Sequence, residues 1–322
     1  MTWRSFLLPH PRALITRLAV IAGLFPVAGW LGGSHWFLDL FNHFQVQYAV
    51  FLAVCVTLLA WMKAFRMAGL AAALLILPVI RIAPQKAVAR DGPAIRIATF
   101  NVLSSNRRHA DTVNWIEEAR PDVVFLPEYT PRWSDGLRVL RKNHPHVIEH
   151  FEGGNFGFAL YSKLPLLSHE VVPCGELELP YLKATLAGPR GTFTFFGAHP
   201  IPPMGSRNAA DRDRYLKDLA DAVAAEPLPA IVAGDLNATP WSRGMAPLQK
   251  AGLIDAAAGQ FPKATWKRDL PLVAIPIDHI LFRGPGTGAR GFLMGPNLGS
   301  DHRPLLAEIV FSSPAGAPES AP

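Results

Sequence analysis

Six stretches of this chain end an apolar run on a side chain able to hold a metal, move a proton or grip an anion. The clearest is Ala230-Ile-Val-Ala-Gly-Asp-Leu-Asn-Ala-Thr-Pro240. Residues i and i+2 of an extended strand project to the same side, so Asp235 and Asn237 emerge together as a carboxylate and a carboxamide. Asn101 closes Ile95 to Val102, Glu128 closes Val123-Val-Phe-Leu-Pro, and His199 follows Gly197-Ala. Asp278 and His279 follow Pro276-Ile, and Ser300-Asp301-His302-Arg303-Pro304 precedes the last apolar run. Singly, each has a purely structural reading as a turn residue, a cap, a satisfied core histidine or an Asx-turn.

Jointly they describe one chemistry. A hard divalent cation such as Mg²⁺ or Mn²⁺ takes carboxylate and amide oxygens together with water, and Glu128, Asp235, Asn237, Asn101 and Asp301 offer that donor set. Cleaving a phosphoester requires neutralised non-bridging oxygens, a base to prepare water and a positive group to meet the growing charge. Asp278 with His302 makes a carboxylate–imidazole pair in which the acid fixes the tautomer and raises basicity. The chain has no Walker phosphate loop, no G-x-S-x-G elbow and no His-Glu-x-x-His zinc motif.

The elements that must place these groups are short strands alternating with helices. Strands are expected at Ile95 to Val102, Val123 to Glu128, Gly157 to Ser162, Tyr181 to Leu186, Thr192 to His199, Ala230 to Leu236, Asp278 to Phe282 and Leu305 to Phe311. Helices are expected at Thr112 to Ala119, Ser134 to Asn143, Asn208 to Ala225 and Ser242 to Ala251. That many strands with several helices implies two sheets packed face to face, helices outside. The layout is thus an anchor over 1–83, a linker over 84–94, the catalytic domain over 95–311 and a disordered Pro/Ala/Gly/Ser tail over 312–322.

Charge is divided unevenly. Of 31 Lys and Arg and 25 Asp and Glu, residues 1–90 hold eight basic groups and one acid, Asp39, leaving 23 against 24 for the rest. The basic character therefore belongs to the N-terminal part and gives no evidence for a nucleic-acid-binding surface elsewhere. Cys55 and Cys174, the two cysteines, have no metal-type spacing and form no disulfide scaffold.

Three apolar runs, Leu14 to Leu31, Phe44 to Met62 and Met67 to Ile82, read as two to three transmembrane helices, the third being short and holding Pro78. Arg4 and Arg12 precede the first run and Arg17 lies at its start, Gly32 to His43 carries no Lys or Arg, and Lys63 and Arg66 lie in the second turn. Positive residues stay inside, so a spanning third run puts the catalytic domain on the extracytoplasmic, periplasmic side.

In their order, Asn101, Glu128, His199, Gly234-Asp235-Leu236-Asn237, Ile277-Asp278-His279 and Ser300-Asp301-His302-Arg303-Pro304 resemble the signature of the endonuclease/exonuclease/phosphatase superfamily, the deoxyribonuclease I-like fold. With its N-terminal spans, the chain resembles bacterial membrane-anchored members, which implies a multi-pass protein of the inner (plasma) membrane. The resemblance implies a four-layer α/β sandwich, two packed mixed β-sheets flanked by helices, and Mg²⁺-dependent phosphoester hydrolysis. It makes Glu128 the main metal ligand, supported by Asn101 and Asp301. Asp235 would align or deprotonate the attacking water, Asn237 and His199 would hold the phosphate, and His302 oriented by Asp278 would stabilise the transition state. Members acting at abasic DNA sites usually have an acid two residues after the first asparagine, where this chain has Leu103.

The expected substrate is a phosphoester: a lipid headgroup, a small phosphoester or a nucleic acid. The anchor and the near-neutral domain favour the lipid. A nuclease is the alternative, for which Arg207, Arg212 and Arg214 form the only local basic patch considered; a non-catalytic membrane-tethered binding module is the other. No protein partner is expected. A compartment-specific reporter fused after Phe311 is expected to be active only outside the cytoplasm; cytoplasmic activity would reverse the topology.

Overall fold

The structure, a computed structural model, describes residues 10–31, 35–83, 86–267 and 269–312. The chain divides into two compact units, residues 1–83 with Trp241–Arg243, and the remainder.

The first unit contains α1 (Pro11–Leu31), the short α2 (Trp36–Asp39), α3 (Gln45–Trp61) and α4 (Phe65–Ile82). Three helices, counting Trp36–Trp61 as one, are long and apolar enough to cross a membrane, including the short third run with Pro78 inside it. Small residues let them approach: Ala19, Ala22, Ala68 and Ala71 pack with Leu52, Cys55 and Leu59. A Cβ on Gly23 would meet Leu74 at 2.8 Å, as expected where helices associate by close backbone contact. Asn42 donates to Gly29 O and to Asp39 Oδ1, both at 3.0 Å, and accepts from Arg81 Nη2 at 2.9 Å.

The second unit contains β1 (Ala94–Thr99), α5 (His109–Ala119), β2 (Val123–Pro127), α6 (Pro131–Gly136), β3 (His146–His150), β4 (Phe158–Ser162), β5 (Leu166–Cys174), β6 (Leu179–Gly188), β7 (Gly191–Ala198), α7 (Ser206–Ala225), β8 (Ala230–Asp235), α8 (Ala246–Lys250), β9 (Ile254–Asp255), β10 (Asp278–Arg283), β11 (Thr287–Met294) and β12 (Leu305–Phe311). They form two six-stranded mixed sheets, ordered β11-β12-β1-β2-β4-β3 and β5-β6-β7-β8-β10-β9. Parallel pairs lie at each centre, β1 with β2 and β7 with β8, and the other pairs are antiparallel.

Side-chain alternation builds the layers. Ile95, Ile97, Val123 and Phe125 meet Phe193, Phe195, Ile231, Ala233, Ile280 and Phe282 between the sheets. The intervening Ala98, Val124 and Leu126 pack under α5 and α6, while Phe196, Val232 and Leu281 pack under α7 and α8. Four layers result, helix, sheet, sheet, helix. The central contact between sheets needs a bare backbone, because a Cβ on Gly197 would lie 2.2 Å from Phe125 Cε2.

Several boundaries differ from the sequence reading. The helix expected over Ser134 to Asn143 is instead α6 followed by a 3₁₀ turn, Arg138–Lys142, and that over Ser242 to Ala251 shrinks to α8 after a short 3₁₀ turn. Strands β3, β5, β9 and β11 were not expected. The expected linker over 84–94 is not free at its distal end: Val88 O accepts from Ala289 N at 2.9 Å, and Pro93 O from Phe311 N at 3.0 Å. The expected tail lies outside the described residues except Ser312, whose N–H reaches Gly286 O at 2.9 Å.

Gly197→Ala is expected to destabilise the second unit by about 1–3 kcal/mol through overpacking against Phe125. A lower melting temperature of the purified protein checks this.

Candidate active site

The alternation that builds the core also aims the site. In β1 the inward set Ile95, Ile97 continues to Asn101; in β7, Phe193 and Phe195 continue to His199; in β8, Ile231 and Ala233 continue to Asp235; and in β10, Asp278 precedes Ile280 and Phe282. Glu128 breaks the rule. Val123 and Phe125 are inward, so residue 128 would turn toward the helices, but its φ is 59°. This left-handed residue exchanges the two sides, turning Glu128 toward Asn101 and sending Tyr129 into the layer under α6.

Asn101 ties the sheets together. Its Nδ2 donates to Glu128 Oε1 at 3.0 Å and to Asp235 Oδ2 at 3.1 Å, and its Oδ1 accepts from Leu103 N at 3.1 Å. Ser104 N donates to Glu128 Oε2 at 3.2 Å. Glu128 is 9% exposed, and its carboxylate oxygens, beside those of Asp235, are the donor chemistry a hard divalent cation takes.

Beside them lies a relay. His302 Nδ1 is 2.8 Å from Asp278 Oδ2, and its Nε2 is 3.6 Å from Asp235 Oδ2. His199 Nε2 is 3.5 Å from the same oxygen. Burial would neutralise His302, yet Asp278 and Asp235 outweigh it and push its pKa up to about 9. Burial would likewise raise Asp235, but His302 and His199 outweigh it and hold Asp235 at about 2. Asp278 is raised, by its burial and by Asp235 nearby, although His302 opposes this. An ionised Asp235 thus faces an imidazolium fixed by a second acid.

Asp235, Asp278 and His302 also lie close enough together to hold a metal ion. The 2.8 Å contact between His302 and Asp278 is a hydrogen bond, however, and an imidazolium has no lone pair to give a metal. The carboxylate oxygens of Glu128, which the Asn101 amide orients, are the better fit. Asp301 is held from the other side: its Oδ2 accepts from Trp266 Nε1 at 3.0 Å and lies 3.9 Å from Lys267 Nζ. Among the described residues it shares no hydrogen bond with Glu128 or Asn101, and its charge adds to the rise of His302.

The turn carrying Asn237 is clamped. Asn237 has φ 47°, which asparagine tolerates. Its N–H donates to Asp235 Oδ1 at 2.9 Å and its Nδ2 to Pro200 O at 2.9 Å. Arg212, 1% exposed on α7, donates to Asn237 O at 3.1 Å. His279 reaches the next carbonyl, Ala238 O, at 2.9 Å and pairs through Nδ1 with Asp255 at 2.7 Å. Sequence reasoning missed Asp255, Trp266 and the Ser104 main chain, and read Arg212 as part of a surface basic patch. His279 it quoted without a role. A surface arginine on an amphipathic helix and a buried one look alike in sequence, and a backbone N–H leaves no signature at all.

Strand ends of two packed mixed sheets, supplying acids, amides and imidazoles to one site, define a class of α/β sandwich proteins. Within that class, the chain belongs to the endonuclease/exonuclease/phosphatase family, whose model it matches over residues 98–302. Solved structures of the same fold include D. rerio TDP2 humanized by 14 mutations, at 20% identity and TM-score 0.56 over 67% of this chain and 98% of that one. The human Nocturnin catalytic domain with bound sulfate is 19% identical, TM-score 0.56, over 72% and 99%. The endonuclease/exonuclease/phosphatase from Beutenbergia cavernae is 18% identical, TM-score 0.56, over 70% and 73%. No curated protein matches the sequence.

Asp278→Asn keeps the shape of the relay but withdraws the charge that orients and protonates His302. It is expected to lower kcat by about 10²–10⁴-fold while the far-UV circular dichroism spectrum stays unchanged. A rate near that of wild type would remove Asp278 from the relay.

Proposed function

We propose that this chain is a membrane-anchored, divalent-metal-dependent phosphoester hydrolase in which Asp235 aligns and deprotonates a water and His302 meets the charge developing on the phosphoryl group. The observation that carries this reading is the contact of Asn101 with both Glu128 and Asp235, beside the His302–Asp278 pair. Asp235 is held ionised, as a base must be, and His302 is held protonated, as a charge acceptor must be. Asn237 and His199 would hold phosphate oxygens; the first is fixed by the Pro200 carbonyl and the second is turned to Asp235. Glu128, oriented by the Asn101 amide, would hold the cation, Mg²⁺ or Mn²⁺, whose contribution is to neutralise the non-bridging oxygens. Asp301 acts in this reading beside His302, secured by Trp266. A binding module without catalysis would have no use for a charged relay of this kind.

The membrane-spanning helices favour a lipid-headgroup or similar amphiphilic phosphoester. The nuclease alternative draws on kinship of fold, since D. rerio TDP2 has been solved with a single-strand DNA product. It is weakened here because Arg212, one of three arginines available for a basic patch, is buried against Asn237 and Asp213.

The full chain with Mg²⁺ or Mn²⁺ is expected to hydrolyse bis-p-nitrophenyl phosphate, EDTA to abolish the reaction, and Asp235→Ala and His302→Ala each to lower it at least about 100-fold. Equal rates in wild type and variants would end the enzyme reading. A panel of phospholipid, sugar phosphate, DNA and RNA is expected to show preference for phospholipid; preferred cleavage of DNA or RNA with steep salt dependence would favour the nuclease.

A further inference from the structure

Behind Glu128, on the side away from the reacting groups, lies a polar network set in an otherwise apolar layer. Tyr129 OH donates to Glu149 Oε1 at 3.0 Å and lies 2.6 Å from Tyr161 OH. Glu149 Oε1 also accepts from Ser134 Oγ at 2.7 Å, and Glu149 Oε2 pairs with Arg141 Nη2 at 2.8 Å. The network draws on the end of β2, on α6, the 3₁₀ turn after it, β3 and β4. Its surroundings are Phe100, Val102, Leu126, Trp133, Leu137 and Leu140. Phenylalanines at 129 and 161 would fill the same space without the cost of burying polar groups, so packing alone does not account for these hydroxyls.

What does account for them is the reversal at Glu128. A non-glycine residue at φ 59° costs on the order of 1–3 kcal/mol and persists only where its neighbours are fixed. Ordinary alternation would turn Glu128 under the helices and Tyr129 between the sheets. Tyr129 is fixed at every polar atom but one: its N–H reaches Gly157 O at 2.9 Å and its hydroxyl is in the network. Its carbonyl passes so near Gly157 that a Cβ there would lie 2.4 Å away.

We infer that Tyr129, with Glu149 behind it, is a positioning residue for divalent-cation binding: its hydroxyl locks the reversed backbone that turns Glu128 to the site. This rests on the reading of Glu128 as the metal-holding carboxylate. Outer groups that orient a metal ligand typically change affinity by about 10–100-fold when lost. Glu128 keeps its own bonds to Asn101 and Ser104 in a Tyr129→Phe variant, so the lower end of that range is expected.

The test is Mn²⁺ affinity of the full chain in detergent micelles, read by electron paramagnetic resonance of free Mn²⁺, with the melting temperature followed in parallel. Tyr129→Phe is expected to raise the Mn²⁺ dissociation constant about tenfold. Glu149→Ala removes the same bond from the other end and is expected to do likewise, which keeps the test open should the first variant fail to fold. Glu128→Gln sets the scale, with a larger loss. If both network variants melt lower yet bind Mn²⁺ as wild type does, the network is structural only and the inference falls while the reading of Glu128 stands. Wild-type affinity in Glu128→Gln would overturn that reading, and the inference with it.

Discussion

The dry layer between the two sheets is the constraint on which the rest of this molecule depends. Phe125 presses against the bare backbone of Gly197, and around that contact the inner residues of β1, β2, β7, β8 and β10 interlock. Each fully buried side chain of this kind contributes about 1.5–3 kcal/mol, and there are more of them than there are hydrogen bonds in the site. Registers are therefore fixed by packing, since a one-residue slip would carry every inner side chain to the other face. The polar groups at the strand ends inherit their directions from that choice.

On this frame the site carries costly elements that hold one another. Asp235, Asp278 and His302 are all buried, and a lone buried charge would neutralise. Alternating them, acid, imidazolium, acid, lets each stabilise the next. The same logic recurs at the turn after Asp235, where the Arg212 guanidinium and the His279 ring take the carbonyls of Asn237 and Ala238. Helix α7 and strand β10 thus grip consecutive peptide units from two directions, and Asn237 is left with little freedom to wander from the place its φ assigns.

Much of this was legible in the sequence. Asn101, His199, Asp235 and Asp278 each continue the inward parity of an apolar strand, so period-two reading finds them, and the central strands that bear them are continuous hydrophobic runs. Glu128 was recognised by its chemistry and place in a motif, but its direction was not, because nothing in Leu-Pro-Glu-Tyr announces a left-handed residue. The unexpected strands are of another kind. β5 is an edge strand with Ser168, His169 and Glu170 exposed, and β11 has an irregular register between Arg290 and Leu293; neither buries both faces, so neither shows the apolar signal. At Asp301 the sequence shows a carboxylate but not the Trp266 N–H bonded to one of its oxygens.

The parts of the site are spread along the chain in an order of their own. Asn101 and Glu128 come first, Asp235 and Asn237 later, and Asp278 and His302 last. Domains assemble from the N-terminal side during synthesis, but β12, which His302 precedes, pairs with β1 at the opposite end of the domain. A growing chain therefore holds its apolar helices and its oxygen donors before it holds its relay. The constellation is complete only when the last strand closes the first sheet.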